Sequence, residues 1–335
     1  MGTKINLKEE LRPYANLAED EISKYTNRKP EELYAPLRDL FSRGGKRLRP
    51  ALVMLSCEAC GGKKEDAITI AASIEMTHNF TLIHDDIADK SELRRGKPCL
   101  HHIYGLGTAI NCGDGLFCIA NEALADAASK VPKDKADLLT KKTVYGVTQV
   151  AEGQSLDIGW AEHKVWDITE EDYFTMIKGK TGALMATSCV VGGIIAGASE
   201  DELEALEKFG MGIGIGFQIW DDVLNVSADL EKYGKEIGGD INEGKRTLMV
   251  IDTLSKCTAE EKTWLIEVLD KVKNTQEEIR DAISLLNKYD SIEMARKRAI
   301  SEMEKGKHAI DNISLDSKAK DILLEAADYM VRRDL

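Results

Sequence analysis

From Lys133 to Leu335 the chain contains no proline; all six prolines (Pro13, Pro30, Pro36, Pro50, Pro98 and Pro132) fall before that stretch. Proline removes a backbone donor and clashes with the preceding turn, so its absence permits long uninterrupted helices. The apolar spacing uses that freedom: Leu203, Leu206 and Phe209, then Ile279, Ala282, Ile283 and Leu286, recur at three- and four-residue steps. Alternating β-branched runs bounded by turn signals are missing, which leaves a sheet little to stand on. The expected fold is all-α.

Glycine pairs at Gly44-Gly45, Gly61-Gly62 and Gly238-Gly239 mark loops between helices. Gly192-Gly193 sits inside an apolar stretch, where it permits close helix packing. A length of 335 residues suggests about two domains. No Ser/Pro-rich linker divides the chain, however, and a single domain over residues 1–335 is the simplest expectation. With 43% hydrophobic and 31% charged residues, the chain should fold around a large core.

The net charge of −13 disfavours nucleic acid and anionic membrane surfaces as partners, so any anionic ligand must be met locally. Two basic clusters stand against that background: Arg43, Lys46, Arg47 and Arg49, then Lys90, Arg94, Arg95 and Lys97. The seven cysteines show no framework spacing, and Cys57 and Cys60 lack a second pair to complete a zinc site. Nothing near Met1 resembles a secretion signal, and the expected location is the cytoplasm. Thr181 to Ser199 is uncharged, but Gly, Ala, Ser and Thr dominate it. A buried core helix is expected there rather than a transmembrane segment.

Two phosphate-binding patterns fail on inspection. Gly210, Gly212, Gly214 and Gly216 do not give GxGxxG in any register, and small residues at helix contacts explain them better. Gly239 to Lys245 reads GxxxxGK, but Arg246 follows where a Ser or Thr is needed.

The strongest signal is Asp85-Asp86-Ile87-Ala88-Asp89, which ends an apolar helical stretch running from Ala67 through Ile83. At about 100° per residue, Asp85 and Asp89 lie about 40° apart, and Asp86 about 100° from Asp85, so three carboxylates share a face. Such crowding calls for a cation, and oxygen donors without His or Cys point to magnesium. The pattern returns in Phe217-Gln218-Ile219-Trp220-Asp221-Asp222-Val223-Leu224-Asn225. Two acidic helix ends lining one cavity could clamp a diphosphate through several magnesium ions.

These residues resemble the trans-prenyltransferases, or polyprenyl diphosphate synthases. The likeness is carried by Gly44-Gly45-Lys46-Arg47-Leu48-Arg49-Pro50, His84 to Asp89, Leu93-Arg94-Arg95-Gly96-Lys97-Pro98, Lys180-Thr181-Gly182, and Gln218 with Asp221-Asp222. Tyr233-Gly234-Lys235, Gly239-Asp240 and Gly244-Lys245-Arg246-Thr247 continue it in the family's order. The resemblance implies a single-domain helical bundle around a deep central cavity, of the isoprenoid synthase type, and a homodimer.

The resemblance further implies that Asp85, Asp86, Asp89, Asp221 and Asp222 hold magnesium against an allylic diphosphate (dimethylallyl, geranyl or farnesyl). Lys46, Arg49, His78 and Arg95 fall on positions for isopentenyl diphosphate, and Arg94, Lys235 and Lys245 on positions for the allylic group. Lys180, Thr181 and Gln218 fall where the family stabilises a carbocation. Asn225 departs from the aspartate common in the second motif, and activity should survive that change. His84, beside the aspartates, reads as a residue that packs there or supports the metal-holding carboxylates, rather than as an acid or base. Phe80, five residues and about 7.5 Å before Asp85, could floor the product pocket, with small Thr81 beside it. That arrangement resembles archaeal geranylgeranyl diphosphate synthases and favours a C20 product over C15 farnesyl diphosphate. A terpene cyclase is disfavoured, because Asn225 and Asp229 replace the Ser/Thr and Glu it needs. A non-catalytic helical subunit is disfavoured by the intact aspartates and cations in both halves.

Overall fold

A computed structural model describes residues 6–227, 238–271, 273–311 and 313–331. Helices dominate it, as the proline distribution permits beyond Pro132, and the proline-bearing part is helical too, with Pro13 and Pro36 inside helices. In chain order the first ten are α1 (Leu7–Thr26), α2 (Glu31–Ser42), α3 (Leu48–Ala59), α4 (Lys64–Ala88), α5 (Leu100–Tyr104), α6 (Leu106–Ser129), α7 (Lys133–Glu162), α8 (Glu170–Ile177), α9 (Ala183–Ala196) and α10 (Glu200–Ser227). The described part beyond them is also helical, over Gly239–Asn242, Leu248–Lys256, Ala259–Leu269, Gln276–Lys288, Ser291–Ala309 and Ser317–Val331. Contacts gather the chain into two compact units, each assembled from separated segments.

The first unit comprises residues 1–147, 184–210 and 309–326. Its axis is α4, which α1, α3 and α6 pack around. Small residues make this possible: Ala71, Ala72 and Ser73 are buried, and the Ser73 hydroxyl donates to the Ala120 carbonyl of α6 at 2.8 Å. Ile22, Leu37, Leu40, Met76, Ile83, Cys112 and Leu116 fill the core between α1, α2, α4 and α6. The apolar stretch foreseen as a core helix is one: 83% of the most apolar window of Glu170–Ala196 is buried. Gly192 of α9 meets α3 backbone to backbone, since a Cβ there would lie 2.0 Å from the Val53 carbonyl oxygen.

One feature escaped the helical reading. Leu93–Arg94 (β1) and Lys97–Pro98 (β2) form an antiparallel hairpin, pairing Leu93 with Pro98 and Arg94 with Lys97. Its two-residue turn, Arg95-Gly96, has positive φ at both positions (55° and 75°), the geometry that matches the twist of paired strands. Two-residue strands are too short to leave an alternating pattern in sequence.

The second unit comprises residues 148–183, 211–308 and 327–335. Its core is built from Tyr173, Ile213, Ile219, Trp220, Val223, Leu248, Ile279, Leu286, Ala299 and Met303. The periodic glycines of α10 serve close packing, as expected: a Cβ at Gly212 would lie 2.7 Å from Gly306 Cα, and one at Gly216 would lie 2.8 Å from the Ala299 carbonyl. Thr169 and Asp172 form a capping box that starts α8. A π-helical turn, Lys178–Gly182, then joins α8 to α9. Such turns widen a helix by one residue and commonly mark functional positions.

Candidate active site

In the first unit the site grows from the C-terminal end of α4. Its three carboxylates, equivalent in sequence, are separated by their surroundings. Asp86 is 4% exposed and accepts from Arg94 twice, from Nε at 2.8 Å and from Nη2, so the β1–β2 hairpin fixes that guanidinium. Asp85 and Asp89, four residues apart and half-buried, remain on the more open face.

A cradle of cations faces the same end. The α2–α3 loop turns through positive φ at Gly44, Gly45 and Arg47. Arg95 Nη1 donates to the Gly44 carbonyl. A Cβ at Gly45 would meet Arg47 Nη1 at 2.8 Å and the Arg95 guanidinium at 3.1 Å, so only glycine leaves room. Arg47, a member of the sequence cluster, is structural: it is buried and donates to Glu19, Glu75 and the Phe41 carbonyl. Arg49 is different. Burial, only partly offset by Glu75, pulls its pKa down to about 10, and its buried Nε has no hydrogen-bond partner. Burial followed by the charges of Arg49, Arg95, Arg94 and Arg47 holds His78 well below the usual imidazole range, so it is neutral. Lys46 is exposed at the rim. The pKa of Arg95 is likewise lowered, by burial first and then by the charge of Arg47.

In the second unit the site is a hydrogen-bond chain laid across the π-turn. Thr181 Oγ1 donates to Gln218 Oε1 at 2.8 Å, Gln218 Nε2 donates to Asp222 Oδ1 at 2.8 Å, and the Tyr173 hydroxyl donates to Asp222 Oδ2 at 2.9 Å. Lys180 Nζ donates to Asp157 Oδ2 at 2.5 Å, and Lys245 Nζ reaches the same oxygen at 3.4 Å and Glu243 at 3.5 Å. Asp157 is 6% exposed. Burial opposes its ionisation, but Lys245 and Lys180 hold its carboxyl below the usual range. Two lysines thus converge on one buried carboxylate, and Lys245 also meets Glu243.

Asp222 has the opposite fate. Burial, aided by the charges of Asp221 and Asp157, raises its pKa to about 7 despite the hydrogen bonds from Gln218 and Tyr173. Asp240 is pushed well above its ordinary range by burial and by Asp222 and Glu243. Asn225, the departure from the family pattern, accepts from the Asp240 backbone N–H at 3.1 Å through its side chain and from the Gly238 N–H at 2.9 Å through its carbonyl. It anchors the segment carrying Asp240.

The donor sets are carboxylate oxygens throughout, which suits magnesium, and the acidic crowding at Asp222 and Asp240 is of the kind a divalent cation offsets. Among the described residues no three such side chains are gathered closely enough to cage an ion alone.

Of the residues singled out in the sequence, Lys46, Arg49, His78, Asp85, Asp86, Asp89, Arg94 and Arg95 lie in the first unit, and Lys180, Thr181, Gln218, Asp221, Asp222 and Lys245 in the second. Asp157 and Tyr173 were missed; the signal for Asp157 is an acid one helical turn past Gly153, in a glycine-bearing stretch of α7. Phe80 and Thr81 lie half-buried on α4, with the Thr81 hydroxyl donating to the His78 carbonyl at 2.8 Å. Lys235 lies outside the described residues.

A family model described as polyprenyl synthetase matches residues 30–286. A geranylgeranyl diphosphate synthase of Methanosarcina mazei is 39% identical over 323 residues, 96% of this chain and 95% of that protein. Among solved structures, a geranylgeranyl pyrophosphate synthetase from Pyrococcus horikoshii is 38% identical, covers 98% of each chain and superposes with a TM-score of 0.90. A geranylgeranyl pyrophosphate synthase from Corynebacterium glutamicum, solved in complex with isoprenyl diphosphate and magnesium, is 26% identical with a TM-score of 0.86. That match covers 96% of this chain and 99% of the other.

Proposed function

The chain belongs to the polyprenyl synthetase family, and from that premise we propose that it is a cytoplasmic short-chain prenyltransferase. It joins isopentenyl diphosphate head to tail to dimethylallyl, geranyl and farnesyl diphosphates, with geranylgeranyl diphosphate as main product. The names of the Methanosarcina and Pyrococcus relatives support that product length. The observation that carries the reading is the end of α4, where a cation-rich cradle around Arg49 and neutral His78 stands beside the carboxylate pair Asp85 and Asp89. One anion can be bound there by guanidinium groups directly, and another through a divalent ion.

In this reading Lys46, Arg49, His78 and Arg95 receive isopentenyl diphosphate; arginine offers planar paired donors, and neutral His78 a single one. Asp85, Asp89, Asp221 and Asp222 would hold magnesium, with Asp86 acting through Arg94. Bound magnesium would neutralise charge on the allylic diphosphate and so favour its departure. Arg94, fixed by Asp86, and Lys180 and Lys245, fixed by Asp157, add positive charge whose orientation is set before reaction.

The allylic C–O bond breaks with its electron pair leaving on diphosphate, and the double bond of isopentenyl diphosphate supplies the electrons of the new C–C bond. The side-chain oxygens of Thr181 and Gln218 face the developing positive charge as fixed dipoles. The departing diphosphate takes the proton lost in the final elimination, so no side chain need act as base. Lys235 has the allylic role by resemblance alone. A homodimer and a single cooperative domain belong to the same reading; sedimentation and a single calorimetric transition test them.

The direct test is to incubate the purified chain with magnesium, isopentenyl diphosphate and farnesyl diphosphate, dephosphorylate the products and separate them by chain length. The reading predicts released pyrophosphate and a C20 alcohol. A hydrocarbon product, or no pyrophosphate release, refutes it.

A further inference from the structure

Arg43 closes α2 and opens the first basic cluster of the sequence, yet its side chain has no exposed surface. Nη1 donates to the Pro98 carbonyl of β2 at 2.8 Å, and Nη2 donates to Asp39 Oδ2, four residues earlier on α2, at 2.5 Å. Asp39 in turn lies 3.7 Å from Lys97 Nζ on the same strand. The hairpin that receives these contacts has little apolar hold of its own: Leu93 is 60% exposed, and Gly96, Lys97 and Pro98 are exposed too. A lone two-stranded hairpin is marginal in water, so polar anchors decide where this one sits. Its turn faces two ways. Arg94 donates to Asp86 of α4, and Arg95 donates to the Gly44 carbonyl of the α2–α3 loop. Consecutive residues thus reach the α4 carboxylates and the cation cradle, while Arg43 holds Pro98, the register partner of Leu93, at the base of the same hairpin.

We propose that Arg43, held by Asp39, is a positioning residue that seats the hairpin so that Arg94 and Arg95 serve both substrates at once. The inference rests on the prenyltransferase reading, in which Arg94 meets the allylic diphosphate and Arg95 meets isopentenyl diphosphate. Arg43 acts through the hairpin and not on either diphosphate: its two Nη atoms are committed to Pro98 and Asp39, and its Nε is buried without a hydrogen-bond partner. The planar fork suits this task, because it spans a strand carbonyl and a carboxylate on another element; the ammonium of a lysine is a single point and cannot reproduce both contacts in that geometry. Arg94 and Arg95 are adjacent at a tight turn, so a shift of the hairpin carries both guanidinium groups with it. Loss of Arg43 must therefore show on both substrates together, whereas a residue that touches one diphosphate affects that substrate first.

The test compares wild type with Arg43→Ala, Arg43→Lys and Asp39→Asn, measuring kcat, the Michaelis constants for farnesyl and isopentenyl diphosphates, melting temperature and amide hydrogen exchange. Arg43→Ala should raise both Michaelis constants together, each by about tenfold, the scale of losing one hydrogen bond from a charged donor. Arg43→Lys, which keeps the charge without the fork, should raise both by a smaller factor and serves if the alanine variant does not fold. Asp39→Asn, which loosens the guanidinium without removing it, should move both in the same direction. Exchange over residues 91–99 should quicken in the Arg43 variants while α3 and α4 keep their wild-type protection. Wild-type Michaelis constants for both substrates in every folded variant, whatever the melting temperatures, overturn the inference and leave Arg43 a purely structural role. A rise for one substrate alone also overturns it, in favour of direct contact with that diphosphate. No turnover by wild type would instead overturn the functional reading, and this inference with it.

Discussion

The π-turn carrying Lys180 and Thr181 is held by a contact between two glycines, and replacing one of them should displace the proposed catalytic groups. A Cβ at Gly153 of α7 would lie 2.1 Å from Lys180 N, 2.6 Å from the Met176 carbonyl oxygen and 2.7 Å from Gly179 C, all backbone atoms that cannot rotate away. Reaching an ordinary contact of 3.4 Å requires the turn to retreat by 1.3 Å, or α7 to bend. Overpacking of this kind costs about 1–3 kcal/mol, against a gain of about 0.5–1 kcal/mol for replacing a helical glycine with alanine. The net expectation for Gly153→Ala is a loss of about 1–2 kcal/mol. The effect on rate should be larger in proportion, because a displacement of about 1 Å at a reacting centre can cost on the order of 100-fold. Gly159→Ala, on the same helix with no atom within 4 Å of the added methyl, is the control and should be neutral or slightly stabilising. The assay pairs thermal melting with steady-state release of pyrophosphate. Identical melting temperatures and turnover for the two variants would refute the reasoning.

Asp157→Asn should leave Lys180 and Lys245 without their shared counter-charge. Removing one partner of a buried ion pair costs about 3–5 kcal/mol as an upper bound, and here the two lysines also repel. The variant should melt earlier and turn over at least about tenfold more slowly, with Michaelis constants for isopentenyl diphosphate little changed; unaltered turnover would contradict the positioning role. His78 is held neutral well below its ordinary value of 6.5, so the unfolded chain binds the proton more tightly than the folded one. Its contribution to stability is therefore complete above about pH 6.5 and is lost as pH falls through the folded pKa. Binding of inorganic pyrophosphate in the arginine cradle should raise the His78 midpoint in an imidazole NMR titration, and a midpoint unmoved by pyrophosphate would count against the cradle.

The helical class was legible because 3.6-residue periodicity survives wherever proline is missing, and both carboxylate clusters were legible because charge follows directly on an apolar run. What escaped depends on contacts between distant segments. Arg47 and Arg49 are two residues apart and look alike in sequence, yet Arg47 is consumed by Glu19 and Glu75 while the Arg49 Nε is left without a partner. Asp85, Asp86 and Asp89 are equivalent until a two-residue hairpin brings Arg94 to one of them. Asp157 in isolation reads as a solvated helical residue; only folding places two lysines on it. The grouping of residues 184–210 with residues 1–147 rests on close backbone approaches such as Gly192 to Val53, which leave in sequence only a glycine within an apolar run.

The central claim is that the carboxylates of α4 and those of α10 are both required for one magnesium-dependent turnover. Asp85→Ala and Asp221→Ala, assayed separately for pyrophosphate release across a magnesium titration, test it most directly. Each should lose on the order of 100- to 1,000-fold in kcat, the scale of removing one electrostatic contact to a developing anion, with little change in melting temperature. Turnover within a few-fold of wild type in either variant at every magnesium concentration would contradict the account.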